Sequence, residues 1–154
     1  MGNKSDDFVC VLRASCRRPG LGALLRAHPR WKPDGVWKAG VPNAVGRIPK
    51  TNGFNLFLGE GGEWKPVAAL IRRRMRALSP MIREGRKIGA EFELDIGVML
   101  GGSRYWNRST RFAPKDLALL LDLGVELCVT AYPTSERSSL GRGRPRTATR
   151  GCRK

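Results

Sequence analysis

The chain predicts a single α+β domain built on one mainly antiparallel sheet with two main helices. Three observations carry this reading. Several short runs alternate apolar and polar residues with period two, and one long run repeats its apolar residues at helical spacing. Glycine and proline punctuate these runs, so that between Gly53 and Pro133 the order is strand, helix, strand, Gly-turn, strand, helix, strand. That order, β-α-β-β-α-β, is the ferredoxin-like one, with an extra N-terminal strand in front.

From the N-terminus, Phe8, Cys10 and Leu12 alternate with Val9, Val11 and Arg13, a pattern for a strand inside a sheet. Leu21, Leu24 and Leu25 then make one or two helical turns, closed before Pro29. Residues 29–52 are rich in proline, turn glycines and basic residues, with Trp31 and Trp37 as the only large anchors, and predict a long ordered loop that Trp37-Lys38-Ala39-Gly40 docks on the core. Gly53 to Leu58 is a short strand, and Gly59 to Gly62 is the turn into the longest helix.

In that helix Val67, Ile71, Met75, Leu78 and Ile82 share one face. Pro80 removes a backbone donor, so the helix is expected to kink there or to restart with Ser79 as cap. Glu91, Glu93 and Asp95 alternate with Phe92, Leu94, Ile96 and Val98 in a strand with one acidic and one apolar face. Gly101, Gly102 and Ser103 turn it back into a strand from Tyr105 to Phe112. Pro114 starts a helix bearing Leu117, Leu120 and Leu121, with Asp116 in its positive first turn and Gly124 at its end. Val125, Leu127, Val129 and Ala131 mark a last strand that Pro133 closes.

The bounds agree with one domain. A length of 154 residues, 41% of them hydrophobic, suits one core over residues 7–133, with residues 1–6 a flexible start and residues 134–154 a disordered basic tail. No run reaches the roughly 18 to 20 apolar residues of a bilayer span, and the first residues lack the apolar stretch of a signal peptide, so the chain reads as cytoplasmic with no membrane role. Cys10, Cys16, Cys128 and Cys152 form no C-x-x-C pair, and His28 is the only histidine, which argues against a zinc site. The charge is the unusual quantity: 29 basic against 13 acidic residues give +16. The tail contributes +6 of this, from seven basic residues and Glu136. Such a field attracts nucleic acid, anionic lipid or an acidic protein without choosing among them.

Four features could carry function. Glu91, Glu93 and Asp95 point the same way and could hold a hard cation or act as an acid/base pair; the simpler account is cross-strand pairing with Arg104, Arg108 or Arg111. Arg72, Arg76, Arg83 and Lys87, with Arg73 and Arg74 beside them, lie opposite the apolar face of the long helix and could track phosphates, or simply face solvent. Tryptophans stand next to cations at Trp31-Lys32, Trp37-Lys38 and Trp64-Lys65, and Trp106 lies near Arg104 and Arg108, a mixture single-strand binders use for stacking and buried anchors also show. Arg142-Gly143-Arg144-Pro145, followed by Arg146, resembles the core of an AT-hook, whose arginines enter the narrow minor groove of A/T-rich DNA. No Walker loop, dinucleotide fingerprint or activated nucleophile is visible, so neither an enzyme nor a cofactor is expected.

Glu91-Phe-Glu-Leu-Asp-Ile-Gly97, Thr110-Arg-Phe-Ala-Pro-Lys-Asp-Leu117, Leu123-Gly-Val-Glu-Leu127 and Ala131-Tyr-Pro-Thr-Ser135 together resemble the bacterial family known as domain of unknown function 4279 (DUF4279). The front half is similar too: the Phe8 to Leu12 strand, Leu24-Leu25, the Trp37-Lys38-Ala39-Gly40 element and the Thr51 to Leu58 strand, so the resemblance covers about residues 7 to 135. Ala113 stands where that family usually has a capping Ser, and the basic tail lies outside its pattern. The resemblance implies a non-enzymatic accessory or toxin-immunity-type protein with a protein partner. The alternative is a nucleic-acid binder using Arg72, Arg76, Arg83 and Lys87 with Arg142, Arg144 and Arg146 of the tail.

Overall fold

A computed structural model describes residues 7–100 and 110–133. They form an α+β fold with one five-stranded mixed sheet and three helices: β1 (Phe8–Cys16), α1 (Leu21–Ala27), β2 (Gly35–Trp37), β3 (Asn52–Gly61), α2 (Trp64–Lys87), β4 (Glu91–Leu100), α3 (Pro114–Leu123) and β5 (Val125–Pro133). The strand order is β2-β3-β1-β4-β5. All pairs are antiparallel except β4 with β5, which run parallel with α3 as their crossover.

The register shows why the sheet is covered on one side. Leu12 lies opposite Leu56 and Leu94, Ala14 opposite Phe54 and Phe92, and Leu127 opposite Leu94, so apolar residues of every long strand share one face. On that face β1 buries Phe8, Cys10, Leu12, Ala14 and Cys16, and α2 answers with Val67, Ile71, Met75, Leu78, Met81 and Ile82. A half-open hollow of about 20 Å³ remains between α2, α3 and β4, room for about one water.

Four expectations are corrected. The Phe8 strand is not appended to a ferredoxin-like plait: β1 lies at the centre, between β3 and β4. The α2 crossover leaves a gap one strand wide between β3 and β4, and β1, apolar along one whole face, fills it. Of the strand expected from Tyr105 to Phe112, residues 110–113 are not in a strand, and residues 101–109 lie outside the described residues, as does the Gly101 to Ser103 turn. Trp64 holds the described part instead, donating from Nε1 to the Arg111 carbonyl at 2.7 Å and meeting the Phe112 ring edge-on at 5.0 Å.

The turn expected at Gly59 to Gly62 starts later. Leu58 is the extra residue of a bulge, since Cys10 faces Gly59 while Val11 faces Phe57, and β3 runs on to Gly61. Gly59, at φ 146°, suits the bulge because Leu70 of α2 lies where a side chain would go. Finally, of the two outcomes expected at Pro80, a kink or a restart, the restart does not occur: Pro80 sits inside one continuous helix. The Arg76 carbonyl, which loses its N–H partner to Pro80, accepts from Ser79 Oγ at 2.8 Å.

Candidate interaction surface

The basic residues of α2 do not all face solvent freely. Arg72 donates to Asp116 of α3 through Nε and, at 3.1 Å, through Nη2, and Arg83 Nη2 reaches Asp122 at 2.8 Å. The Asp116 carboxylate holds the Arg72 guanidinium above its ordinary pKa, chiefly by accepting its hydrogen bond. Arg86, which the periodicity did not single out, donates to the carbonyls of Leu123 and Gly124 at 3.3 and 2.7 Å. Its guanidinium occupies the space a side chain at Gly124 would need, and Gly124 takes the left-handed conformation at φ 60°. Three arginines of α2 thus fasten both ends of α3. Arg76 and Lys87 remain exposed, without an ion pair among the described residues. Arg142, Arg144 and Arg146 lie outside the described residues, as do Arg104, Arg108 and Trp106.

The second face of the sheet carries the acidic row. Among the described residues its partner is Arg13 of β1, which the expectation did not include and which reaches Glu93 Oε1 at 3.2 Å and Asp95 Oδ2 at 2.6 Å; the expected partners Arg104 and Arg108 lie outside the described residues. Asp95 also accepts from Thr130 Oγ1 of β5 at 3.1 Å and is 5% exposed. Glu126 of β5 stands directly opposite Glu93, so two like charges share a register position. Among the described residues no group of three or more His, Cys, Asp or Glu could hold a metal ion.

The tryptophans separate by role. Trp64 is wedged between Phe8 and Phe112, with ring centroids at 5.4 and 5.0 Å, and its N–H is used. Trp31 packs against the core beneath Arg30, whose guanidinium lies 5.3 Å from the ring centroid. Trp37 is different. It ends β2 opposite Gly53, and its indole lies across the position a Gly53 side chain would occupy. Asp34 secures the start of β2 by accepting from the Phe57 N–H at 2.5 Å, while its own N–H donates to the Asn55 carbonyl at 2.9 Å.

Trp37 also stands between two clefts. One, about 200 Å³, lies on the open sheet face and is lined by Arg13, Ser15, Glu91, Phe92, Glu93 and Glu126. The other, about 210 Å³, lies between α1 and β2 and is lined by apolar side chains of both, with Lys38 at its rim. Beyond Trp37 the loop closes on itself. Gly40 N–H donates to the Pro49 carbonyl at 2.9 Å, and Asn43 Oδ1 accepts from the Arg47 N–H at 2.9 Å. The sequence predicts one ordered loop over residues 29–52; β2 stands inside that span, and Val36 within it and Val41, Val45 and Ile48 beyond it are exposed. The sequence showed Trp37-Lys38 as an anchor. It could not show the clefts, whose other walls come from β1, α1, β3, β4 and β5.

Compared with known protein families, with curated proteins and with solved structures, the chain matches none.

Proposed function

We propose that this is a non-enzymatic binding domain that engages another protein at the Trp37 edge of its sheet. The observation that carries the reading is the position of Trp37 as a shared wall of two surface clefts of about 200 and 210 Å³. Each holds what a partner side chain would use: carboxylates beside an aromatic ring on one side, and an apolar floor with a cation on the other. Support for a binding rather than a catalytic role comes from the acidic row, whose inner carboxylate is already committed to Arg13 and Thr130.

The kinship with domain of unknown function 4279, and with it a bacterial, cytoplasmic, immunity-type role, belongs to the same proposal. It rests on the residues quoted for the resemblance alone. No helix among the described residues is long and apolar enough to cross a membrane.

The test is a photo-crosslinking amino acid in the full chain, placed at the exposed Ala39 in one variant and at Ala77, on the exposed face of α2, in another, and irradiated in cells of the source organism. Discrete protein adducts from position 39 that are absent from position 77 are expected. Adducts with nucleic acid, or equal adducts from both positions, would overturn the reading. A second reading, nucleic-acid binding, is favoured by the exposed Arg76 and Lys87 together with the +6 tail.

A further inference from the structure

We propose that the groove between α1 and β2 takes an extended segment of the partner as a further strand of the sheet, one with an apolar side chain flanked by acidic residues. The inference rests on the protein-binding reading and assigns it a place and a chemistry. Among the described residues β2 is an edge strand, paired with β3 alone. An edge leaves a row of backbone N–H and C=O groups open to an added strand, which gains main-chain hydrogen bonds there and specificity from pockets for alternate side chains.

The groove supplies such a pocket. Leu21 and Leu25 of α1 face Val36, Trp37 and Phe54 across about 210 Å³. Val36, in the middle of the edge strand, is 61% exposed, an aliphatic side chain left where an added strand would cover it. Gly22 keeps the helix side of the groove low: within 4 Å a Cβ there would meet only the guanidinium end of Arg26, at 3.6 Å.

Charge decides what flanks the apolar residue. Lys38 lines one end, Arg26 lies beside Gly22, and Arg17 and Arg18 lead into Pro19 of the rim, while no acidic residue lines the groove. Residues two positions apart on a strand point to the same side, about 7 Å from each other. An apolar residue seated in the groove therefore brings its second neighbours on either side toward these cations, and acidic side chains fit there. Nucleic acid fits poorly, because of the two rings in the lining Phe54 is buried and Trp37 is laid over Gly53, which leaves little ring surface for base stacking.

The experiment is selection of a phage-displayed library of random twelve-residue peptides on the immobilised full chain. Enriched peptides are then measured in solution against the full chain and its Gly22→Leu and Lys38→Glu variants. Gly22→Leu fills the groove and replaces glycine within a helix by a better helix former, so the thermal midpoint is expected to hold or rise. The expected result is an acidic-x-apolar-x-acidic pattern among the winners, with an affinity loss of at least about tenfold in Gly22→Leu and a several-fold loss in Lys38→Glu. No such pattern, or peptides that bind Gly22→Leu unchanged, would overturn the proposal. The position-39 crosslink separates the two levels: protein adducts that persist in Gly22→Leu leave the wider reading standing without the groove, and their absence without that substitution removes both.

Discussion

Arg13 reaches diagonally across the open face of the sheet to Asp95, closing an ion pair of 2.6 Å on a carboxylate that is 5% exposed. In the strand register Arg13 is opposite Glu93, and Asp95 is opposite Val11. The guanidinium therefore passes the nearer carboxylate, with which it also makes a looser contact, to satisfy the buried one. Removing the cation leaves a buried carboxylate with Thr130 as its one remaining described donor. Arg13→Ala is expected to cost about 2 kcal/mol, the scale for a buried polar group left unsatisfied, whereas Glu93→Gln should stay within about 0.5 kcal/mol. Urea unfolding of the two variants decides it, and equal costs would show that Arg13 serves the exposed Glu93.

Ser79 and Pro80 act as a pair. Proline inside a helix deprives the carbonyl four residues earlier of its partner, and here that carbonyl, on Arg76, is taken by the Ser79 hydroxyl. Pro80 is exposed and buries nothing of the core. Pro80→Ala is expected to stabilise the fold by about 1 to 3 kcal/mol by restoring the helical hydrogen bond. Ser79→Ala alone is expected to cost about 1 kcal/mol, and that cost should vanish in the Pro80→Ala background, where the Arg76 carbonyl has a backbone donor again. Thermal unfolding of the four-member cycle measures the coupling; additive effects would mean that the Ser79 bond contributes nothing at this carbonyl.

Burial, with the Asp95 carboxylate adding to it, pushes the Cys10 thiol up to about 12, from 9.0. A thiol that keeps its proton longer in the folded chain than in the unfolded one stabilises the fold fully below the unfolded value, and this contribution is lost as pH rises toward the folded value. The fold is therefore expected to weaken between about pH 9 and 12 more steeply than its Cys10→Ala variant. Following the unfolding midpoint of both against pH checks this, and parallel curves would remove Cys10 as a source. The same burial predicts that a thiol reagent at pH 8 modifies the part-buried Cys128 well before Cys10 or Cys16.

How far the sequence could be read follows from the range of each interaction. Alternation within β1 and β4 and the apolar spacing of α2 are local, and the structure keeps them; β5 follows its pattern only at its start, where Val125 is buried, whereas Val129 is 48% exposed. In α3 only part of the pattern is buried: Leu120 and Leu123 are inside, while Leu121 is 83% exposed. The central place of β1 was not legible, because it depends on the gap that the α2 crossover leaves between two later strands. Nor was the partner of the acidic row. Arg13 and Asp95 are 82 positions apart, and nearer arginines offered a simpler pairing. Arg72, Arg76, Arg83 and Lys87 looked alike by spacing and are divided by α3, whose Asp116 and Asp122 meet two of them. The Trp37 edge shows the same limit, since Gly22 and Gly53 acquire their meaning only once α1, β2 and β3 are side by side.

That division of the basic residues makes the two functional readings separable in one binding experiment. If phosphates were held by the helix face, the contacts would come from the exposed Arg76 and Lys87 and from Arg142, Arg144 and Arg146, because Arg72 and Arg83 are already engaged with carboxylates. Counterion release makes each phosphate contact visible as a slope of about −0.9 in log affinity against log salt. On the protein-binding reading, the full chain should bind A/T-rich and G/C-rich duplexes equally, only at low salt, and release both at physiological salt. Arg76→Ala combined with Lys87→Ala should then change little beyond the loss of two charges, and Asp95→Ala should leave any such binding as it was. An A/T preference that survives physiological salt and disappears when Arg142, Arg144 and Arg146 are replaced by alanine would carry the nucleic-acid reading instead. Fluorescence anisotropy at several salt concentrations, with thermal unfolding of each variant to confirm that it is folded, gives both the slope and the preference.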